Sequence, residues 1–77
     1  MNHEREVTGT FRDASQAMMA VAAAKRQGLQ TPDPAALPHD ADGVHVSVQT
    51  SADVEDARRL LLEYGAYAVA ISEPGTD

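Results

Sequence analysis

The chain has no cysteine and no tryptophan, and its only aromatic residues are Phe11, Tyr64 and Tyr67. Without cysteine there is no disulfide staple and no thiolate zinc site, and the composition fits a reducing compartment such as the cytoplasm. Three aromatic rings are too few for a base-stacking platform. Basic residues are scarce as well: six Lys and Arg stand against twelve Asp and Glu, for a formal charge of −6. That balance repels a phosphate backbone, so nucleic acid is not an expected partner. Long apolar runs are missing. The longest, Ala17–Ala24 (AMMAVAAA), is too short to span a bilayer, and it lies behind an acidic stretch, unlike a signal peptide. No membrane partner is expected.

What is present reads as one small domain of 77 residues, with flexible tails at 1–5 and 73–77. Residues 6–11, EVTGTF, alternate Val7, Gly9 and Phe11 against Thr8 and Thr10, the period of a strand. A helix follows from Asp13 as N-cap, with Gln16 completing a capping box and Lys25 and Arg26 in the last turn. Its inner stripe is expected at Ala14, Ala17, Met18, Val21 and Ala22, flanked by Ala24 and the Lys25 stem, with Met19 and Ala23 off the stripe. Gly28 and Leu29 suit a Schellman ending. Three prolines between Pro32 and Pro38 exclude a central strand there, leaving a loop or a short edge strand around Pro34 to Leu37. Asp40–Gly43 (DADG) reads as a turn.

Gly43–Thr50 (GVHVSVQT) is the second clear strand, with Val44, Val46 and Val48 on one side and His45, Ser47 and Gln49 on the other. A second helix follows, with Ser51 as the expected cap and Asp53, Glu55 and Asp56 near its positive end. Its stripe is Val54, Ala57, Leu60, Leu61 and Tyr64, and Gly65 ends it. Residues 66–72, AYAVAIS, form the last strand, with Tyr67, Val69 and Ile71 inward and Ala66, Ala68, Ala70 and Ser72 outward.

The order strand–helix–(weak strand)–strand–helix–strand is that of an α+β, ferredoxin-like split βαβ fold. Right-handed crossovers would put both helices on one face of an antiparallel sheet. The first and third strands should be central, the last an edge beside the first, and the proline-rich segment the other edge.

Residues 7–28 resemble the opening of the small bacterial general-stress (heat-induced) domains at Phe11, Asp13, Ala17, Ala20, Val21 and Gly28. Val46, Val48, Ala57, Leu60, Gly65 and Ala66 are similar to a second pattern of related stress proteins. The proline-rich middle departs from that pattern. The resemblance implies a bacterial, non-catalytic, stress-associated domain, and it carries over no active-site residue.

Motifs for chemistry are thin. His39-Asp40-Ala41-Asp42 is the nearest approach to a metal motif and reads better as a solvated acidic loop, so no metal or other cofactor is expected. Phe11-Arg12 ahead of a helix N-terminus resembles the anion cradle of acylphosphatases, but their glycine-rich loop and strand Asn are missing. Ser47, His45 and nearby acids could be named as a triad, with nothing in the sequence to bring them together or to build an oxyanion hole. Glu55 and Arg59 have the spacing of a helical ion pair on a solvated face. The chain is therefore not expected to be an enzyme, and an acylphosphatase-like hydrolase stands third among its possible functions.

The expected interface is the outer sheet face, Thr8, Thr10, His45, Ser47, Gln49, Ala68 and Ala70. These side chains are neutral and small or hydrogen-bonding, whereas a solvated face usually carries Lys, Glu and Arg. The expected function is an interaction or regulatory domain that forms a homodimer through this face. The alternative is a small-ligand sensor resembling ACT-type modules, with a protein partner or a small ligand on the same surface.

Overall fold

A computed structural model describes residues 5–51 and 53–72. The expected tails, apart from Arg5, lie outside the described residues. The elements are strand β1 (Arg5–Phe11), helix α1 (Ala14–Arg26), a 3₁₀ turn (Pro34–Ala36), strand β2 (His39–Asp40), strand β3 (Gly43–Thr50), helix α2 (Val54–Glu63) and strand β4 (Ala68–Ser72). The four strands form one antiparallel sheet in the order β2-β3-β1-β4. The fold is α+β, with the first and third strands central, as expected from the order of elements. Arg5, expected in a tail, opens β1 opposite Thr50.

Val7, Phe11, Val46 and Val48 are closed to water on one sheet face, beneath Ala17, Ala20, Val21, Ala24, Leu60 and Leu61 of the helices. Burying each large apolar side chain contributes about 1.5–3 kcal/mol. α2 comes close to β1 because Gly9 has no side chain: a Cβ there would lie 3.1 Å from Leu61 Cδ1 and 3.3 Å from Ala66 Cβ. Both helices end in Schellman motifs. Leu29 N–H donates to the Ala24 carbonyl and Gly28 N–H to that of Lys25; Ala66 and Gly65 repeat the pattern onto Leu61 and Leu62.

Several local expectations are corrected. The stripe of α1 is Ala17, Ala20, Val21, Ala23 and Ala24, while Ala14, Met18 and Ala22 are exposed. Asp13 caps the helix through Ser15 N–H at 2.9 Å. Gln16 does not close a capping box; its amide lies over Gly65 instead. α2 is capped by Asp53, not Ser51, because the Asp53 carboxylate reaches Glu55 N–H at 2.9 Å. On its solvent side Arg59 pairs with Asp56, and Arg58 with Glu55, each at 3.3 Å one turn away. Glu55 is therefore not the partner of Arg59. Pro34–Ala36 is a 3₁₀ turn capped by Asp33, and the edge strand lies just beyond it at His39–Asp40, after Pro38. The final strand begins at Ala68, because Ala66 is taken up by the helix ending. Ile71 lies on the helix side of the sheet, opposite Val7, yet is 41% exposed at the edge.

Candidate functional site

The register places all seven residues expected at the interface on one face. Across the sheet, His45 lies opposite Thr10 and Thr10 opposite Ala68; Ser47 lies opposite Thr8 and Thr8 opposite Ala70. A third row sets Gln49 opposite Glu6 and Glu6 opposite Ser72. The five residues on β1 and β3 are half-buried and the two alanines on β4 exposed.

The polar groups of the first two rows bond to each other. Thr8 Oγ1 and Ser47 Oγ are 2.8 Å apart. Thr10 Oγ1 lies 3.2 Å from His45 Nδ1, and His45 Nε2 lies 3.1 Å from Asp40 Oδ2. A ring that donates Nε2–H to Asp40 leaves Nδ1 to accept the Thr10 hydroxyl. Asp40 also accepts Asp42 N–H at 2.8 Å. That backbone bond first, and the His45 contact second, hold its carboxyl below the usual carboxylate range. The β2–β3 turn makes this possible. Gly43 has φ +138°, and a Cβ there would overlap the Phe11 carbonyl oxygen, so only glycine lets β3 begin beside β1 and brings Asp40 within reach of His45.

The face is therefore not free of charge, as the composition of its central positions suggests. Glu6 stands in its third row and Asp40 at its β2 border. The parity of Glu6 with Thr8 and Thr10 carries the first signal. The second depends on the tightness of a turn that the residue types do not specify.

The remaining candidates fall elsewhere. Ser47 is turned to Thr8 and is not part of a triad. The chain Asp40–His45–Thr10 has the order of one, but catalysis would need N–H groups aimed at a developing oxyanion. Thr10 lies between two paired strands, whose backbone groups serve the ladders. Arg12 stacks over the Tyr67 ring at 5.0 Å from its centroid, and the Tyr67 hydroxyl donates to the Asp42 carbonyl across the end of the sheet. With Asp13 on Ser15 N–H, the proposed anion cradle is occupied by the chain itself. Among the described residues no three His, Asp or Glu side chains gather as metal ligands, and no helix is long and apolar enough to cross a membrane.

Beside the third row, Gln30 bridges to Gln49 through two backbone bonds of 3.0 and 3.2 Å. Glu6, Gln30, Thr31, Pro32, Ser47 and Gln49 line a shallow groove of about 300 Å³. No family model, no curated protein and no solved structure matches the chain.

Proposed function

We propose that the protein is a non-catalytic interaction domain of ferredoxin-like arrangement that associates with copies of itself through the outer sheet face. The observation that supports this most is the pairing of Thr8 with Ser47 and of Thr10 with His45. A buried polar group costs free energy when it loses water without gaining a partner. Here the partners are already on the same face, so a second surface can cover it without leaving them unsatisfied. The sequence resemblance to bacterial general-stress domains and the absence of cysteine fit a stress-associated role in a reducing cytoplasm.

Light scattering on wild type and Ser47→Glu at matched concentration tests the reading. A carboxylate at Ser47 breaks the bond to Thr8 and puts an unpaired charge into the contact, so the mass should fall. A mass that Ser47→Glu leaves unchanged overturns it. The groove beside Gln49 favours a second reading, an ACT-like sensor. One carboxylate and two amides there suit a small molecule bearing an amino group. Free amino acids that leave the Gln30 and Gln49 resonances unmoved would count against that reading.

A further inference from the structure

We propose that the open edge of β4 pairs antiparallel with β4 of a second copy, joining two four-stranded sheets into one. The proposal stands on the edge itself and holds whether or not the outer faces associate.

The two edges of the sheet are built differently. β2 is two residues long, follows Pro38 and carries Asp40. Shortness, proline and charge are the usual protections of an edge against pairing with another chain. β4 runs for five residues, Ala-Val-Ala-Ile-Ser, with neither charge nor proline within it; Glu73 and Pro74 come only after it in the sequence. Among the described residues no strand lies on its outer side.

The hydrogen-bond pattern fixes which groups that edge presents. His45 N–H donates to the Pro38 carbonyl, toward β2. Alternation in an antiparallel ladder then turns the backbone groups of Val44, Val46 and Val48 toward β1, where they meet Phe11, Gly9 and Val7. Thr8 and Thr10 turn theirs toward β4, where they meet Ala70 and Ala68. Val69 and Ile71 are left with N–H and C=O directed outward.

A two-fold axis at Ala70 sets Val69 of each copy opposite Ile71 of the other. Both are then hydrogen-bonded pairs, each exchanging two backbone bonds. Ala70 meets its own copy at the close, non-hydrogen-bonded position, where Cα atoms approach to about 4.5 Å and a small side chain is best accommodated. On the helix side, Ile71, 41% exposed in one chain, comes to lie against Val69 of the other. Ser72 meets Ala68, so among the described residues of β4 no charges are brought together.

Amide exchange read by NMR tests the edge directly. In wild type, and equally in Ser47→Glu, the Val69 and Ile71 amides should exchange about tenfold or more slowly at high protein concentration than at low. Fast exchange at both concentrations, from a bare edge, overturns the proposal, as does slow exchange that persists in a sample whose mass is that of a monomer, from an edge covered by the same chain. Ile71→Pro removes one outward N–H and leaves the ladder to β1 intact, since that ladder is made at Ala68, Ala70 and Ser72. It should lower the mass and abolish the protection at Val69. Should it fail to fold, Ile71→Lys keeps every backbone group and sets two ammonium groups beside the axis, with the same expected result. A folded Ile71 variant that keeps the wild-type mass overturns the edge contact, even where Ser47→Glu has already dissociated a face contact.

Discussion

β1 and β3 have one set of residues closed to water and the other set half open. On the closed side Val7, Phe11, Val46 and Val48 meet helices whose alanines allow close approach. On the open side Thr8, Thr10, His45 and Ser47 meet each other. The first face is held by shape, where a missing atom leaves a hole that neighbours fill only in part. The second is held by pairs whose members can also bond to water, so each pair contributes little net stability. A domain this small can therefore change its open face with little penalty to its fold.

Four substitutions, in three experiments, test this contrast. The largest effect belongs to Phe11→Ala on the closed face. Phe11 is the largest of the fully buried side chains. Its truncation should cost about 3–5 kcal/mol, a large share of the stability of a small domain. Urea denaturation should show a midpoint shifted far down or no cooperative transition. A loss under about 1 kcal/mol would place Phe11 outside the core and dissolve the contrast.

The middle effect is on the open face. Thr8→Val and Ser47→Ala, alone and together, form a double-mutant cycle across a bond of 2.8 Å. The coupling should be about 0.5–1.5 kcal/mol. A coupling as large as the Phe11→Ala loss would mean that the open face is held as firmly as the closed one.

The smallest effect sharpens the contrast through pH. Asp40 has its carboxyl held below the usual range by Asp42 N–H and then by His45. A lowered folded-state pKa contributes stability above the unfolded pKa, and that stability is lost as pH falls through the folded value. Wild type should therefore lose a small increment of stability in the acid range that Asp40→Asn does not lose. Thermal melts of both proteins from neutral pH to below the carboxylate range should converge at the acid end. Parallel curves would sever Asp40 from the open face.

The sequence makes strands legible where side chains alternate strongly, and helix ends legible where glycine follows a basic or apolar turn. β1, β3 and both Schellman endings follow from those signals. The orientation of α1 does not, because in an alanine-rich helix several faces are nearly equal in size and polarity. What decides among them is the fit against β3 and α2, which is tertiary. Ser51 and Asp53 both suit a cap, and the path of the chain into α2 selects the second. For the candidate site, the seven expected positions share a face because parity alone dictates it. The Asp40–His45 contact depends on a turn geometry set by Gly43 against the Phe11 carbonyl, a contact between segments far apart in sequence. The outward backbone of Val69 and Ile71 is equally hidden, since it depends on which side of β3 the His45 N–H faces.

The central place of β1 also has a consequence in time. Of the four described strands it is the first to leave the ribosome and the one whose neighbours arrive last, β3 at Gly43 and β4 at Ala68. At roughly 5–20 residues per second, synthesis leaves β1 without its second neighbour for several seconds. Through that interval Val7 and Phe11 have no complete core to enter, and the nascent chain carries a strand with one edge unpaired until β4 is made. Slow codons ahead of β4, or a chain that stops before Ala68, would prolong an aggregation-prone state without altering a single contact of the finished fold.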